Sequence, residues 1–580
     1  MTELLVLGCS SRKTQTEGTT PAICRYDGPF YQDFRSHLRE RIWPALLDVA
    51  VLSAKFGFIG ALTEIEYYDH RMDHARAVEL APSLGGQIDR WLEDYDHIRL
   101  CLGKDYLAAL PMDRLDDSGR AEVFEGPIGV KRQKLGAYLQ TFDSAPRLGV
   151  HPSPSDRLSY FLPDWDDLLD PDFDFMTDTF SAPKRERQEL HCAHLLHPDK
   201  IADGILVSLA QKRESKGPLK YVGGLDSRTL RPINLRQHYG LDPTQGLFGD
   251  CGAFSYVNED KPPFSIDYVV SLYDLYNFDY GASIDHIPVP QIIVDGAKCD
   301  LSPSKREARV ALTVDNADAF LREVERRRAG FVPVGTVQGL SPEQYAHNAC
   351  AYAEMGYRRI ALGGLVPLPD SMVQAIVTTT MEALKSLKHH PEVHLFGIFR
   401  PKLQHLFRQL GITSFDSASY FRKAWLRSDQ NYLGEDGNWY AAIRVPMTSD
   451  GRTRTRLLKA GADLELLEML EAKALSALHE YDRGRLSYQA TLSTVLDYDG
   501  KLARSSEESD ILRAGYERTL QVKPWRACRC PICMKTGIDV MIFRGSNRNK
   551  RRGAHNTWRL YGIIKERTFQ PALRAEGGSP

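Results

Sequence analysis

Between residues 200 and 420, strand-like segments alternate with helix-like segments in one long series, and this series limits the possible folds more than any other part of the chain. Each strand-like segment is a short apolar run that ends in glycine or a polar residue, and amphipathic stretches such as SPEQYAHNACAYAEMG separate them. Alternation of this kind over about seven repeats predicts an α/β fold, a TIM (β/α)8 barrel rather than an open sheet. The predicted strands are DGILVSLA, GLFGDCGAF, YGASIDHIPV, FVPVGTVQG, RIALGGLV, VHLFGIF and ITSFDSAS.

Three of these predicted strands lead into an aspartate: Asp250, Asp285 and Asp416. Because the carboxyl ends of parallel barrel strands share one face, the three carboxylates are expected to meet at one mouth. They could act there as nucleophile, as general acid or base, and as acceptor for the edge of a base. The alternative is that each aspartate caps the helix that follows it. Gln338 and the pair Gly363–Gly364 end two further strands, either beside a flat ligand or in ordinary tight turns.

Segments of different character follow one another along the 580 residues. Residues 1–147 alternate short apolar runs with amphipathic stretches and predict a small Rossmann-like α/β domain. A proline-rich linker, 145–157, leads into the barrel domain, 155–445. Residues 446–525 have helical patterns and predict a helical insertion. Residues 526–580 hold a cysteine cluster and a basic C-terminal helix, and predict a metal-binding subdomain.

The C-terminal segment carries four potential metal ligands, Cys528, Cys530, Cys533 and His555. Thiolates and imidazole suit zinc, and four protein ligands are typical of a closed structural site, because a catalytic zinc keeps one position open for water. The alternative is a set of unrelated surface cysteines. A close cysteine cluster with a downstream histidine usually binds metal, so we expect structural Zn2+.

A basic run, RGSNRNKRR, lies between the last of these cysteines and the histidine, at residues 544–552. The functional interpretation is contact with nucleic-acid phosphates, and the alternative is a solvated charged loop. The net charge of the whole chain is −2, which makes a local basic cluster more informative. The residues predicted to bind nucleic acid are Arg544, Arg548, Lys550, Arg551 and Arg552.

Cysteine usage and hydropathy bear on the cellular compartment. Ten cysteines in a chain of this length do not suggest a disulfide framework, and predict a reducing, cytoplasmic environment with one metal site. No apolar run approaches about 20 residues, so no membrane span is expected. The N-terminal MTELLVLGCSSRK has no basic stretch before its apolar run and predicts a first strand rather than a signal peptide.

Six sequence elements occur in the order found in the tRNA-guanine transglycosylases, and the chain resembles this superfamily over roughly residues 155–570. The elements are FGDCGAF, the aspartate of SIDHIP, VQGL, ALGGL, FDS and the late C-x-C-x-x-C…H. The resemblance implies a TIM barrel that exchanges a guanine for a 7-deazaguanine. Phrases such as FLPDWDDLLDPDFDF, GDCGAFSY and DYGASIDH resemble in particular the DNA-modifying branch, DpdA, which inserts 7-cyano-7-deazaguanine (preQ0) into DNA.

The resemblance also implies a role for each matching residue. Asp416 would be the nucleophile that attacks C1′ of the deoxyribose, and Asp250 would be the general acid and base. Phe254 would stack on the purine, and Asp285 would read its amino and ring N–H edge. The zinc site would clamp a small subdomain onto the barrel. The residues that would contact the carbonyl and the 7-substituent of the base are Gln338, Gly364 and Leu365.

Departures from the tRNA enzymes favour a different polynucleotide. The stretch after the predicted nucleophile is DSASYFRKAW instead of a P-T-R-type stretch, Ser255 replaces a usual Gln, and His286 replaces a usual Cys or Glu. We therefore expect guanine-containing DNA and free preQ0 as partners. A tRNA enzyme with altered anchoring and a non-catalytic, DNA-binding accessory subunit are the alternatives. The sequence leaves open whether a partner ATPase or helicase opens the duplex.

The N-terminal residues resemble a small Rossmann-like domain of uncharacterised function, loosely similar to YaaA-like nucleic-acid-associated proteins. The motifs are LGCSSRK, SAKFGFI and EIEYYDHRM. Lys13, Tyr26, Lys55 and Tyr68 lie near predicted strand ends, where they could line a nucleotide pocket or a DNA groove. A scaffold or docking role is the alternative.

Overall fold

The computed structural model of the chain describes residues 2–15, 18–142, 158–164, 167–209, 230–426, 428–459, 461–502 and 506–566. The predicted linker at 145–157 lies outside these residues. Within them, no helix is both long enough and apolar enough to cross a membrane.

The N-terminal part forms a five-stranded sheet around a central parallel strand, β1. The apolar runs TELLVLGC, VAVLSAKFG and HIRLCLG form β1, β2 and β4, as predicted. The order across the sheet is β3-β2-β1-β4-β5, and only β3 runs antiparallel to its neighbour. The strands are β1 (Glu3–Gly8), β2 (Leu47–Ser53), β3 (Gly57–Gly60), β4 (His97–Cys101) and β5 (Ala121–Val123). The helices are Ala22–Arg25, Pro29–Glu40, His74–Asp94, Lys104–Leu107, Met112–Asp117 and Ile128–Gln140.

Eight parallel strands then close into a barrel, β6 to β13, in sequence order around the ring. The predicted TIM-like barrel is therefore confirmed, and the seven predicted strands form β7 to β13. The first strand, β6, escaped prediction because SYFLP is short and is followed by the acidic, turn-rich PDWDD. The strands are β6 (Ser159–Pro163), β7 (Gly204–Ser208), β8 (Gly246–Asp250), β9 (Tyr280–Ala282), β10 (Val332–Val337), β11 (Arg359–Leu362), β12 (Glu392–Leu395) and β13 (Ser414–Asp416).

Helices surround the barrel and pack closely on it. A Cβ atom at Gly249 or Gly281 would lie 2.2 or 2.5 Å from the ring of Tyr273, so glycine in β8 and β9 lets a helix seat against the strands. The helices of this part are Leu235–Tyr239, Ile266–Leu275, Pro303–Arg327, Pro342–Met355, Asp370–Lys385, Gln404–Leu410 and Ser419–Lys423, with short 3-10 turns at Cys192–Leu196, Ala253–Tyr256 and Pro401–Leu403.

Large side chains fill the barrel interior, so the barrel is a packed core rather than a pore. Phe161, Phe248 and Tyr280 form an aromatic cluster inside the ring, with centroids 5.5 to 6.0 Å apart. Small residues from neighbouring strands, including Ala282 and Ala361, complete this layer. Functional side chains are thereby confined to the strand ends and the loops beyond them.

The N-terminal part and the barrel domain are in direct contact. Tyr268, in the helix after β8, donates a hydrogen bond of 2.8 Å to Glu64. The backbone N–H of Val49, in β2, donates to the carbonyl of Leu230 at 2.9 Å. The hydrogen bond of Tyr268 thus connects the N-terminal part to the helix that follows the β8 loop.

After the barrel, the chain is mainly helical and ends in a compact metal lobe, defined here as Pro524–Glu566. A short strand in the lobe, Ile542–Phe543, pairs in parallel with Ile443–Arg444. The other short strand pair, Tyr432–Leu433 with Trp439–Tyr440, lies beside the lobe. The helices are Gly451–Lys459, Leu464–Asp482, Tyr488–Leu502, Ser506–Val522, Pro524–Ala527, Pro531–Thr536 and Gly545–Glu566, with a 3-10 turn at Gly537–Met541.

Candidate active site

Three aspartates lie at the carboxyl ends of barrel strands, on the face that carries the active site in barrels of this kind. Asp250 and Asp416 are the last residues of β8 and β13, and Asp285 follows β9. Burial, and then the negative charges of Asp285 and Asp416, raise the pKa of Asp250 to about 7. Burial also raises the pKa of Asp285 to about 6. The site therefore contains carboxyl groups that exchange protons close to neutral pH.

The three aspartates are not helix N-caps. Asp250 accepts a hydrogen bond from the N–H of Gly252 at 3.0 Å, inside its own loop, and the helix that begins at Ser419 has no side-chain cap. Serines provide the cap hydrogen bonds of the long helices after β8, β9 and β10, so the capping alternative is wrong for these aspartates. The capping residues are Ser265, Ser302 and Ser341.

A buried amide holds Asp285 in place. Gln338, at the end of β10, donates from Nε2 to Asp285 at 2.7 Å. The amide lies against Gly363 and Gly364, where a Cβ would come within 2.3 and 2.6 Å of its Nε2 and Oε1 atoms. Gly364 also has a φ of +70°, so both space and backbone conformation require glycine there. The carbonyl oxygen Oε1 of Gln338 is buried and accepts no hydrogen bond from the described residues. A buried, unsatisfied acceptor beside a carboxylate suits a ligand that donates hydrogen bonds.

Asp416 is fixed through one of its two oxygens. Oδ1 accepts a hydrogen bond from the N–H of Gly397 at 2.8 Å and one from Nε2 of His394 at 3.1 Å. Within the described part of the chain, no hydrogen bond reaches Oδ2. The arrangement anchors the carboxylate while leaving one oxygen available for reaction.

His394 is a residue that the sequence analysis missed. It lies in β12, directly opposite Ser414 of the neighbouring strand, and its Nδ1 is 2.9 Å from the Ser414 hydroxyl. Burial lowers the pKa of His394, so the ring is neutral: the serine donates to Nδ1, and Nε2–H donates to Asp416. The sequence did contain a signal, because His394 is the single histidine of the apolar segment VHLFGIF. That segment is the predicted strand directly before the strand that ends in Asp416.

Phe254 presents an open aromatic face at the same mouth. It lies in the 3-10 turn after β8, and 52% of its surface is exposed. Tyr256 of the same turn is buried beneath and donates to the backbone carbonyl of Asp285 at 3.0 Å. Leu365, in contrast, is fully buried. The site thus offers one free ring face next to the carboxylates.

The four predicted metal ligands converge in the metal lobe. Nδ1 of His555 lies 3.6, 3.5 and 3.5 Å from the sulfurs of Cys528, Cys530 and Cys533. A tetrahedral ion with usual Zn–S and Zn–N bond lengths separates sulfur and nitrogen by about 3.5 Å, which fits these distances. Nε2 of His555 donates to the carbonyl of Leu433 at 2.9 Å, so the lone pair of Nδ1 faces the thiols. The buried cluster can therefore hold a metal ion with all four protein ligands.

Comparison of the sequence with known proteins identifies the family of the chain. A DNA-guanine transglycosylase of Salmonella montevideo is 36% identical over 436 residues, which are 73% of this chain and the whole of that protein. The chain belongs to the guanine transglycosylase family. As a guanine transglycosylase it is a pentosyltransferase, an enzyme that exchanges a base on a pentose.

Two further relatives match over shorter stretches. A tRNA-guanine(15) transglycosylase of Thermococcus onnurineus strain NA1 is 27% identical over 190 residues, 32% of this chain and 30% of that protein. One of Methanopyrus kandleri is 27% identical over 223 residues, 36% of this chain and 45% of that protein. No family profile matches the chain. The family assignment therefore rests on the Salmonella montevideo relative, which is matched over its whole length.

The basic run of this transglycosylase is not a loop, which corrects the sequence-based prediction. Most of it forms the start of the helix Gly545–Glu566, and four of its five basic side chains are buried. Arg548 binds Asp178 and donates to the carbonyl of Phe175 at 2.7 Å, and Arg551 donates to the carbonyl of Asp170 at 2.8 Å. Arg544, Arg548, Arg551 and Arg552 therefore hold the lobe against the rest of the protein and are not exposed phosphate contacts. Lys550, which is partly buried, donates to the carbonyl of Leu168 at 2.6 Å.

A second His/Cys group, from the segment HCAHLLHPD, is also buried in the transglycosylase. Nε2 of His191 and the thiol of Cys192 both approach the carboxylate of Asp167, at 2.9 and 3.0 Å. Nδ1 of His191 accepts the N–H of Ala193 at 3.3 Å. The thiol of Cys192 donates to Asp167, and His191 lies within ion-pair distance of the same carboxylate. The three side chains form a compact buried cluster that could also hold a metal ion.

Proposed function

We propose that this transglycosylase exchanges guanine in DNA for 7-cyano-7-deazaguanine (preQ0) through a covalent aspartyl–deoxyribose intermediate. The observation that carries the chemistry is the meeting of three strand-end carboxylates, one of which titrates near pH 7. The choice of DNA is supported by the relative of 36% identity, which matches over its whole length and is named a DNA enzyme. The tRNA enzymes match over less than half of their length.

Asp416 is the nucleophile in this proposal. Its Oδ1 is held by Gly397 and His394, and Oδ2 attacks C1′ of the deoxyribose as the bond from C1′ to N9 of guanine breaks. Glycosidic cleavage passes through an oxocarbenium-like state, which a carboxylate below the ring stabilises and then traps. The two hydrogen bonds fix the angle of approach, and a neutral His394 leaves the negative charge on the carboxylate.

Asp250 is the general acid and base. With a pKa of about 7 it is partly protonated at neutral pH, so it can donate a proton to the departing guanine. The incoming deazaguanine then returns a proton from N9 to Asp250, and N9 attacks C1′ as the C1′–O bond to Asp416 breaks. Two displacements at one carbon retain its configuration.

The base is read by the groups around Asp285. Phe254 stacks on the purine, Asp285 accepts from its amino and ring N–H groups, and Gln338 adds the second acceptor with its unpaired Oε1. Gly364 lacks a side chain, which leaves room for a substituent at position 7. Leu365 contributes its backbone N–H rather than its buried side chain.

The metal is proposed to be a structural zinc held by Cys528, Cys530, Cys533 and His555. When bound, the zinc would cross-link the segments that carry these four ligands. Its role would be structural, because four protein ligands leave no position for water or substrate. The lobe that it organises contacts the barrel: Tyr561 donates to Asp203, just before β7, at 2.9 Å.

The test is a base-exchange assay with the full chain. The enzyme is incubated with preQ0 and either guanine-containing DNA or tRNA, and the digested nucleosides are analysed by mass spectrometry. We expect 7-cyano-7-deaza-deoxyguanosine from DNA, no exchange and no covalent DNA adduct with Asp416→Ala, and normal exchange with the exposed control Asp429→Asn. Modified nucleoside in tRNA alone would contradict the DNA assignment and favour a tRNA enzyme with altered anchoring. Normal turnover by Asp416→Ala would remove the proposed nucleophile.

A further inference from the structure

A β-hairpin projects from the active-site face directly after the base-reading aspartate. Its strands, Gln291–Val294 and Ala297–Asp300, lie between Asp285 and the helix that begins at Pro303. The connecting residues Asp295 and Gly296 have φ values of +50° and +81°, the conformation of a tight type I′ turn. The tip therefore has a defined shape.

The hairpin exposes apolar side chains. Val294 at the tip is 44% exposed and Ile293 is 52% exposed, although valine and isoleucine are usually buried. Because opposed residues of an antiparallel pair share a face, Ile292 and Val294 lie on the same face as Ala297 and Cys299. Ile293 and Lys298 share the opposite face, which combines an apolar group with a cation. The tip therefore presents one exposed apolar side chain on each face, Val294 on one and Ile293 on the other.

Two contacts attach the hairpin to the loop that carries Phe254. Asn258 of that loop accepts a hydrogen bond from the N–H of Ile293 at 2.8 Å. Arg309 donates to the carbonyl of Val257 at 2.9 Å and to that of Ile287 at 3.0 Å, which joins the loop to the base of the hairpin. The apolar tip is thus held at a fixed position relative to the proposed stacking ring.

We propose that this hairpin is a wedge that enters duplex DNA beside the target guanine and keeps that guanine out of the base stack. A two-stranded ribbon fits a DNA groove, and apolar side chains at its tip can replace the contacts that an extruded base loses. The inference rests on the proposed action on DNA. Chemistry at C1′ and N9 of a guanine requires the base to leave the duplex, and on single-stranded DNA no wedge is needed.

The test compares duplex and single-stranded forms of the same oligonucleotide, using the full chain and preQ0. The double variant Ile293→Ser/Val294→Ser is expected to lower the exchange rate on the duplex at least about tenfold and to leave the rate on the single strand within about twofold of wild type. The matched control is Ile128→Ser/Val130→Ser, which changes two exposed apolar residues of the N-terminal part and is expected to alter neither rate. A 2-aminopurine next to the target guanine is expected to brighten with wild type and not with the hairpin variant.

The outcomes separate this inference from the proposed function. An unchanged ratio of duplex to single-strand rates in the hairpin variant would overturn the wedge, and so would a wild type that acts on single strands alone. An equal loss on both substrates together with a changed oligomeric state would identify the hairpin as an interface between copies instead. If wild type exchanges guanine in neither form of DNA but does so in tRNA, the proposed DNA substrate fails, and the wedge fails with it.

Discussion

Asp250 is the side chain of the site on which pH acts most directly. Its pKa is raised to about 7 in the folded chain, against 3.8 for an ordinary aspartate, chiefly because burial disfavours the charged form. A group of this kind favours the folded state fully below pH 3.8, and that contribution is lost as pH rises through 7. The Asp250→Asn variant has no ionisable side chain at this position, so it does not lose this stabilisation as the pH rises. The free energy of unfolding of the variant, relative to wild type, is therefore expected to rise by up to about 4 kcal/mol between pH 4 and pH 8.

Urea unfolding of both proteins at several pH values between 4 and 8 measures this difference. Asp429→Asn, which removes an exposed carboxylate, is the control and is expected to show little pH dependence relative to wild type. A constant difference between Asp250→Asn and wild type over the range would mean that Asp250 titrates normally in the folded protein, and a general-acid role at neutral pH would lose its basis.

Sequence reasoning located some residues of the candidate site and could not locate others, for physical reasons. Asp250 and Asp416 were predictable because polar residues at the carboxyl ends of parallel strands must share one face. His394 was not, because a histidine inside an apolar strand shows its partners only once strand register places it opposite Ser414. Leu365 was predicted as a contact and stays a prediction, because the direction of its side chain depends on the turn made by the glycines before it, which the sequence does not reveal.

At the level of elements, the helix Gly545–Glu566 shows that charge pattern alone does not determine exposure. The run RGSNRNKRR looked like a solvated or DNA-binding loop, yet an acidic, aromatic segment between β6 and β7 covers it. Asp178 binds both Arg544 and Arg548, and the ring of Phe175 lies 5.1 Å from the guanidinium of Arg548. The two segments are hundreds of residues apart in the chain, so only the closed barrel brings them together.

Arg548→Ala is therefore expected to act on stability and not on DNA contact. It removes one of the two cations that pair with the partly buried Asp178, and it leaves the buried Asp539 with His479 alone. The loss is expected to be about 3 kcal/mol of unfolding free energy, because each carboxylate keeps one partner. The dependence of DNA affinity on salt is expected to keep its slope, because this side chain meets no phosphate. Denaturant unfolding and a salt titration of DNA binding measure the two effects.

Arg529→Ala is the matched control, since Arg529 is an exposed arginine of the same lobe. We expect its unfolding free energy to stay within about 0.5 kcal/mol of wild type. A shallower salt slope in Arg548→Ala without loss of stability would restore the original interpretation of the run as a phosphate-binding site.

For the whole molecule, the regular alternation of strands and helices was enough to predict the barrel, because each βα unit must bury its strand on both faces. How the parts are held together was not predictable. The metal lobe is joined to the segment that follows the last barrel strand by individual polar contacts, such as those of His555 with Leu433 and of Asn556 with Asn431, at 2.9 and 2.8 Å. These depend on exact positions of backbone carbonyls, which no pattern of residue types encodes.

The metal is expected to stabilise this assembly rather than to take part in base exchange. Cys530→Ser removes one of four ligands from a buried site, so we expect bound zinc to fall from about one ion per chain to a small fraction and the melting temperature to fall with it. Cys350→Ser, outside the cluster, is the control and is expected to keep both. Elemental analysis and thermal unfolding of the purified proteins measure the two quantities, and a strong chelator is expected to reproduce the effect in wild type. A Cys530→Ser protein that kept its metal and melting temperature but lost base exchange would instead place the metal in the reaction, because a purely structural ion cannot affect catalysis while the fold remains intact.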